Sequence, residues 1–253
     1  MGMESTTEPK KEKVKPIIID AKLIAKRMLT SDVFEQLFES SAPFLFAPGQ
    51  FISVLIPGAG PGGRDLRRAY SIASSPELMP SKNYFELCVK LVEGGPGTNY
   101  LNNLKIGESM KGHVPFGDFV YKTKAPRHVI FVATGTGIAP FRSMLLSKVY
   151  AENMPLTTKL LFGARDNGDL LYTDELSPIL STDFVQVLSR PSGAWPGFKG
   201  RVTDWLRENS PTLDWKHTEF YLCGNGPMID EVKQIIANHG VDKSHVHQEI
   251  YYK

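Results

Sequence analysis

Between Val14 and about Tyr121 the chain runs in short stretches that are rich in β-branched and aromatic residues, and several of them alternate apolar with polar positions. These stretches are residues 16–23, 32–38, 50–56 and 84–91. Alternation with a period of two puts successive side chains on opposite faces of a strand. Turn-forming clusters separate them: Ala47-Pro48-Gly49, the glycine-rich 57–63 and Ser74-Ser75-Pro76. Many short strands at this spacing predict an antiparallel sandwich or barrel. One helix interrupts it, from Thr98 through Leu104, with Thr98 as its N-cap. After Lys122-Thr123-Lys124-Ala125-Pro126 the pattern changes. Residues 128–133 form a continuous apolar run of the buried parallel-strand type, and a glycine turn and a helix over about 139–151 follow. Strands over 159–163, 184–188 and 219–223 then alternate with helices over 172–181, 201–208 and 228–239, which predicts a parallel α/β sheet. The expected organisation is an arm over 1–14, a β-barrel over 15–121, a linker over 122–127 and an α/β unit over 128–253.

Composition narrows this picture without changing it. A chain of 253 residues, 42% hydrophobic and 22% charged, buries enough surface to fold without a disulfide or metal staple. The formal net charge of +2 shows no nucleic-acid footprint. Two cysteines, Cys88 and Cys223, exclude a disulfide framework, a four-cysteine zinc site and a cysteine-ligated iron–sulfur cluster. No apolar run is long enough to span a bilayer and no apolar signal-peptide core is present, so a cytoplasmic protein is expected. Met1-Gly2-Met3-Glu4-Ser5-Thr6 fits the loose N-acylation pattern, but the lysine-rich arm reads more simply as a solubilising tail.

The candidate chemistry lies in two glycine turns. Thr134-Gly135-Thr136-Gly137-Ile138-Ala139-Pro140 stands where a strand becomes a helix, and free N–H groups at such a helix start suit a pyrophosphate. Pro140 replaces the third glycine of the dinucleotide fingerprint, and a plain chain reversal would use the same residues. Cys223-Gly224-Asn225-Gly226-Pro227-Met228 repeats the arrangement after another strand. Two such turns at the carboxyl ends of parallel strands mark a single ligand crevice. No nucleophile elbow or P-loop is present. His245 and His247 have no third ligand near them in sequence and read as a strand-surface pair rather than a metal site.

Arg68-Ala69-Tyr70-Ser71, the turn Gly97-Thr98-Asn99-Tyr100-Leu101, the two glycine turns and Glu249-Ile250-Tyr251 occur in this order. The ordered set resembles the ferredoxin–NADP reductases, within the wider ferredoxin-reductase-like flavoprotein superfamily, over nearly all of residues 15–252. The resemblance implies two domains: an antiparallel β-barrel that binds FAD, followed by an α/β parallel-sheet domain that binds NAD(P). It implies that Arg68 pairs with the flavin diphosphate, Tyr70 stacks on the isoalloxazine and Ser71 donates near N5. Read without the resemblance, Tyr70 is a barrel-core aromatic and Arg68 a surface ion-pair partner. Gly97, Thr98 and Asn99 are implied as a pyrophosphate clamp, and Leu87, Cys88, Val89 and Lys90 as the strand lining the flavin; Cys88 also reads as a small buried hydrophobe.

In the second half, the resemblance implies that Gly135, Thr136, Gly137, Ile138, Ala139 and Pro140 hold the NAD(P) pyrophosphate, with Thr136 near the flavin. Asn225 and Met228 belong to the same nucleotide site. Cys223 faces the nicotinamide or is an inert strand-end thiol, Glu249 sits near the ring stack, and Tyr251 or Tyr252 covers the flavin until nicotinamide displaces it. Ser71, Cys223, Glu249 and Tyr251 are thus the implied catalytic set. Ser189 and Arg190, with Ala164-Arg165 and Arg201, supply hydroxyl and positive charge suited to the 2′-phosphate of NADP. Trp195-x-Gly197 and the 200–204 segment also resemble NAD-using reductases of oxygenases, so NAD is the alternative. The implied activity is hydride exchange between NADP(H) and FAD, with single electrons passed to a separate ferredoxin or flavodoxin carrier. The alternative is a reductase component of an oxygenase system or a free-flavin reductase. A monomer is expected; Lys10, Lys11, Lys13, Lys15, Arg64, Arg67 and Lys90 read either as a plain solvated face, the commoner case, or as cations for an acidic partner.

Overall fold

Strand β1 (Ile17–Met28) shows how the alternation works: Ile19, Ala21 and Leu23 are buried while Asp20 and Lys22 are exposed. A register shift between Leu23 and Ala25 lets it run on to Met28, past the end that the sequence pattern predicts. The computed structural model describes residues 15–122 and 127–252. The 1–14 arm, its acylation pattern and Lys10, Lys11 and Lys13, and linker residues 123–126, lie outside the described residues.

With β2 (Val33–Ser40), β3 (Phe51–Ile56), β4 (Leu66–Ser71), β5 (Tyr84–Lys90) and β6 (Ser109–Phe116), β1 forms an antiparallel sheet in the order β4-β3-β6-β1-β2-β5. An antiparallel bridge between Ile72 and Leu87 joins the two ends and curls the sheet into a barrel. Strands β4 and β6 are absent from the sequence-based reading. Much of β4 is exposed, and β6 presents Gly112 to the core, where a Cβ would come within 2.5 Å of the Ile52 Cδ1 atom. Helix α1 (Leu78–Lys82) sits before β5. Helix α2 (Pro96–Asn103) starts two residues earlier than expected, with Gly95 at the cap, because Pro96 is preset for a first turn. Thr98 therefore does not cap it; its hydroxyl donates back to the Gly95 carbonyl at 3.2 Å.

The second sheet is parallel, in the order β10-β9-β8-β7-β11-β12. Its strands are β7 (His128–Thr134), β8 (Thr157–Ala164), β9 (Phe184–Leu188), β10 (Phe198–Lys199), β11 (Thr218–Asn225) and β12 (Val246–Tyr252). The one helix expected over 139–151 is two, α3 (Ala139–Leu145) and α4 (Lys148–Glu152), because the Ser147 hydroxyl accepts from Tyr150 N–H and opens a new helix. Helices α5 (Thr173–Leu180), α6 (Val202–Glu208) and α7 (Gly226–Asn238) follow. His245 lies in a short turn before β12, and His247 is not simply a surface residue: its Nε2 lies 2.7 Å from Glu219 Oε1 and its ring stacks on Tyr221. Among the described residues no helix is long and apolar enough to cross a membrane.

The barrel and the α/β body share packing. One hydrophobic cluster joins Val33, Ala73 and Cys88 of the barrel to Phe131, Phe141 and Tyr221, with Phe119 and Tyr121 at its centre on the segment leaving the barrel. Arg142 of α3, 6% exposed, crosses the same boundary. Its Nη1 donates to Glu86 of β5 at 2.6 Å and to the Ala73 carbonyl at 3.1 Å, and its Nε and Nη2 donate to Glu175 of α5 at 2.5 and 3.0 Å. The Ser143 hydroxyl donates to the Ser74 carbonyl at 2.7 Å. If this shared core is one cooperative unit, Phe119→Ala should cost about 3–5 kcal/mol and lower a single urea midpoint; a loss under about 1 kcal/mol would mean Phe119 packs loosely.

Candidate active site

Two cavities open along the boundary between barrel and α/β body. The first, about 260 Å³, is lined from the barrel by Phe51, Arg68, Ala69, Tyr70, Ser71, Cys88, Val89, Lys90, Val92 and Thr98, and from the other side by Thr136, Glu249, Ile250 and Tyr251. The second, about 500 Å³, lies at the carboxyl ends of β7, β8, β9 and β11 and includes Gly135, Ala164, Arg165, Ser189, Arg201, Asn225 and Met228. Lys90 lines both, and its ammonium lies 3.0 Å from the Asp32 carboxylate.

The first cavity gathers its walls from strand ends. Strand β4 delivers Arg68, Tyr70 and Ser71, and β12 runs parallel to β11 with Glu249 beside Cys223. The Tyr251 hydroxyl donates to Ser71 Oγ at 2.6 Å, and Ser71 donates to Glu249 Oε2 at 3.2 Å, so two hydrogen bonds cross the boundary. Desolvation pushes the Glu249 carboxyl up to about 7, against the hydrogen bond from Ser71, and pushes the Tyr70 hydroxyl to about 12. Cys223 is fully buried and lines neither cavity; Tyr251 packs against the hydrophobic cluster that contains it. Burial raises the Cys223 thiol well above its ordinary value, which keeps it neutral. Burial likewise pushes Cys88 up to about 12.

These walls fit a flavin. Arg68 is exposed, and its hydrogen bond to the Arg67 carbonyl leaves donors for a diphosphate. Helix α2 brings its first turn against Arg68 and Tyr70: a Cβ on Gly97 would lie 2.5 Å from the Tyr70 hydroxyl and 2.9 Å from Arg68 Cγ. The side chain of Tyr252 is outside what is described, so of the two terminal tyrosines Tyr251 is the one seen in the cavity.

The second cavity uses its glycines differently from the sequence-based expectation. Gly135 has φ of +54° and lines the cavity, as a ligand-approach glycine should. Gly137 instead packs on protein, since a Cβ there would come within 2.4 Å of the Cys223 carbonyl oxygen. Asn225 caps α7 by accepting from Met228 N–H at 2.8 Å and donates to Thr134 Oγ1 at 3.2 Å, tying the two glycine turns together. Leu87, Gly97, Asn99, Gly137, Ile138, Ala139 and Pro140 line neither cavity; Leu87, Ile138 and Ala139 face the core. Arg190 is exposed and also outside the cavity lining, whereas Arg165 and Arg201 are within it. Sequence reasoning missed Thr30 and Asp32 of the β1–β2 turn, which reach the second cavity only through tertiary approach. It also missed Arg142, whose sequence signal is a lone cation in an apolar helix.

Gly137→Ala should force the loop off β11, costing about 1–3 kcal/mol in urea unfolding and weakening dinucleotide binding; unchanged stability would contradict the close packing. Glu249 gives a second test. Its raised value means that from about pH 4.5 to about 7 the native chain holds a proton the unfolded chain releases, so stability falls as pH rises through that window. Glu249→Gln should therefore lose less stability than the wild-type apoprotein between about pH 5 and about pH 8; equal losses would show that Glu249 is not desolvated.

Residues 20–121 match the family model described as an oxidoreductase FAD-binding domain, and residues 131–234 the one described as an oxidoreductase NAD-binding domain. Over 243 residues the chain is 36% identical to ferredoxin–NADP reductase B of Sorangium cellulosum, covering 92% of this chain and 97% of that protein. It is 31% identical over 232 residues to the glycine betaine monooxygenase reductase subunit of Chromohalobacter salexigens, covering 88% of this chain but 61% of that protein. The crystal structure of a ferredoxin NADP+ reductase from Neisseria gonorrhoeae with bound FAD and NADP has the same fold, with a TM-score of 0.79 at 21% identity over 94% of this chain and 100% of that one. A barrel cavity suited to a flavin, a neighbouring cavity at the ends of parallel strands and similarity along almost the whole sequence agree: the chain belongs to the ferredoxin–NADP reductase family of FAD- and NAD(P)-binding oxidoreductases.

Proposed function

We propose that the chain exchanges hydride between NADP(H) and a bound FAD, and single electrons between that FAD and a ferredoxin or flavodoxin carrier. The observation that carries this reading is the pair of cavities meeting at Lys90, with Ser71, Glu249 and Tyr251 gathered across the boundary. When bound, the flavin supplies the redox chemistry and the protein supplies position and electrostatics. Arg68 and the start of α2 hold the diphosphate, Tyr70 packs against the ring system, and Ser71 presents a hydroxyl to its polar edge. Tyr251 covers the cavity and moves aside for nicotinamide, which also uncovers Cys223. The barrel over 15–121 serves the flavin and residues 128–253 the nicotinamide nucleotide, in a cytoplasmic monomer.

In the second cavity Gly135, Asn225 and Met228 frame the pyrophosphate. The 2′-phosphate falls to Arg165, Arg201 and the Ser189 hydroxyl, not to Arg190, because those three line the cavity. A hydrogen bond to a charged group contributes about 1.5–3 kcal/mol, so Arg201→Ala should raise KM for NADPH by about 10–100-fold while leaving that for NADH within about threefold. Equal effects on both nucleotides would overturn this assignment.

Similarity to an oxygenase reductase subunit keeps one rival reading in view, a reductase that serves an oxygenase. The visible spectrum tests the main reading: the purified protein should be yellow, bleached by NADPH and reoxidised by ferredoxin. A colourless protein, or one that ferredoxin does not reoxidise but an oxygenase component does, would reject it.

A further inference from the structure

The two hydrogen bonds that cross the boundary at Ser71 sit inside a ligand cavity and are made by Tyr251 and Glu249. A ligand that moves Tyr251 breaks one of them. The relative placement of the two walls must then be held elsewhere, and the contacts of Arg142 are so arranged that they do it. On the barrel side its guanidinium grips a corner next to the cavity. Ala73 follows Ser71 by two residues, Glu86 precedes Cys88 by two, and Ala73 N–H donates to the Glu86 carbonyl at 2.8 Å. On the other side Arg142 belongs to α3, which begins directly after the turn that carries Thr136 into the flavin cavity.

Three further features support the grip. Glu175 takes two nitrogens of the guanidinium and fixes its plane. Tyr172 lies against that plane at 4.6 Å. Its backbone adopts φ of +56°, a conformation an aromatic residue rarely takes and holds only when its surroundings require it. Ser143 and Lys148 add bonds to the Ser74 carbonyl and the Glu77 carboxylate, so α3 and α4 are joined to residues 73–77 at several points.

We propose that Arg142 is a positioning residue: by gripping Ala73 and Glu86 across the boundary it sets how the nicotinamide side of the site meets Ser71, and hydride exchange depends on that setting. The proposal rests on the reading that the two cavities hold a flavin and a nicotinamide nucleotide. A merely stabilising ion cluster would depend equally on Glu86, which lies across the boundary, and on Glu175, which lies on the same side as Arg142. A positioning residue depends on Glu86 far more.

The test compares wild type, Arg142→Lys, Glu86→Gln and Glu175→Gln as flavin-loaded proteins, by single-turnover bleaching with NADPH and by titrated NADPH affinity. The flavin-free proteins are also unfolded in a calorimeter. Misplacement by about 1 Å slows a positioned reaction by about 100-fold, so Arg142→Lys and Glu86→Gln should bleach about 100-fold more slowly while NADPH affinity stays within about threefold. Glu175→Gln keeps an amide oxygen as acceptor and leaves both contacts across the boundary in place, so it should slow bleaching by no more than about tenfold, well short of Glu86→Gln. Calorimetry should show one transition in wild type and two in Arg142→Lys. Glu86→Gln carries the test if Arg142→Lys does not fold. Rates within about twofold of wild type in the variants that fold, or equal slowing in Glu175→Gln, overturn the proposal while leaving the functional reading intact. A wild type that NADPH does not bleach overturns that reading and this proposal together.

Discussion

A guanidinium taken out of water with no partner costs about several kcal/mol, and at Arg142 that requirement organises the centre of the molecule. Burial alone would make its charge harder to keep, yet Glu175 and Glu86 hold it more firmly than in water. Carboxylates have to arrive from β5 and α5, and Glu35 of β2 stands at 3.9 Å. That is why β2 and β5 carry acids at positions facing the α/β body. Glu35 is in turn held by Arg27 at 2.7 Å, so the charge balance extends outward to the barrel surface. Removing one member would strand the others, which makes the cluster a constraint on sequence more than a source of net stability.

A second constraint is steric. Gly137 and Gly224 let two glycine turns interlock, since a Cβ on Gly224 would lie 2.2 Å from Thr134 Oγ1, and Gly224 also has φ of +141°. With the turns that close, the Asn225 side chain can cap α7 and reach Thr134 at once. The ends of β7 and β11 thus become one floor, while α3 and α7 pack on different hydrophobic clusters.

How much of this was legible depended on whether the signal was local. Strand β9 lies where the sequence predicts it, and β7 and β11 held their runs within slightly wider bounds, because a strand buried on both faces, as those two are along most of their length, writes that burial into nearly every residue. Strand β4 did not, since an exposed strand of Leu-Arg-Arg-Ala-Tyr-Ser has no alternation to read. The motif residues of the flavin cavity were legible from Arg68-Ala69-Tyr70-Ser71 and Glu249-Ile250-Tyr251. Phe51, Val92 and Ile250, which complete its walls, were not, because nothing in an apolar letter says which cavity it faces. Arg190 was a fair sequence choice for phosphate binding, but a residue past the strand end can point to solvent as easily as to the cleft. Arg142 was invisible for the same reason that makes it important: every group its side chain hydrogen-bonds is at least 33 positions away.

The chain of hydroxyls at Tyr251, Ser71 and Glu249 has a direction. Tyr251 gives its proton to Ser71, and Ser71, having one proton, gives it onward to Glu249, so each hydroxyl dipole points toward the carboxylate. Displacing the Tyr251 ring leaves the Ser71 oxygen with an unfilled lone pair while its proton stays committed to Glu249. A ring taking the place of Tyr251 would therefore meet an acceptor at Ser71 while Glu249 is ionised, and a donor once Glu249 is protonated and turns the serine round.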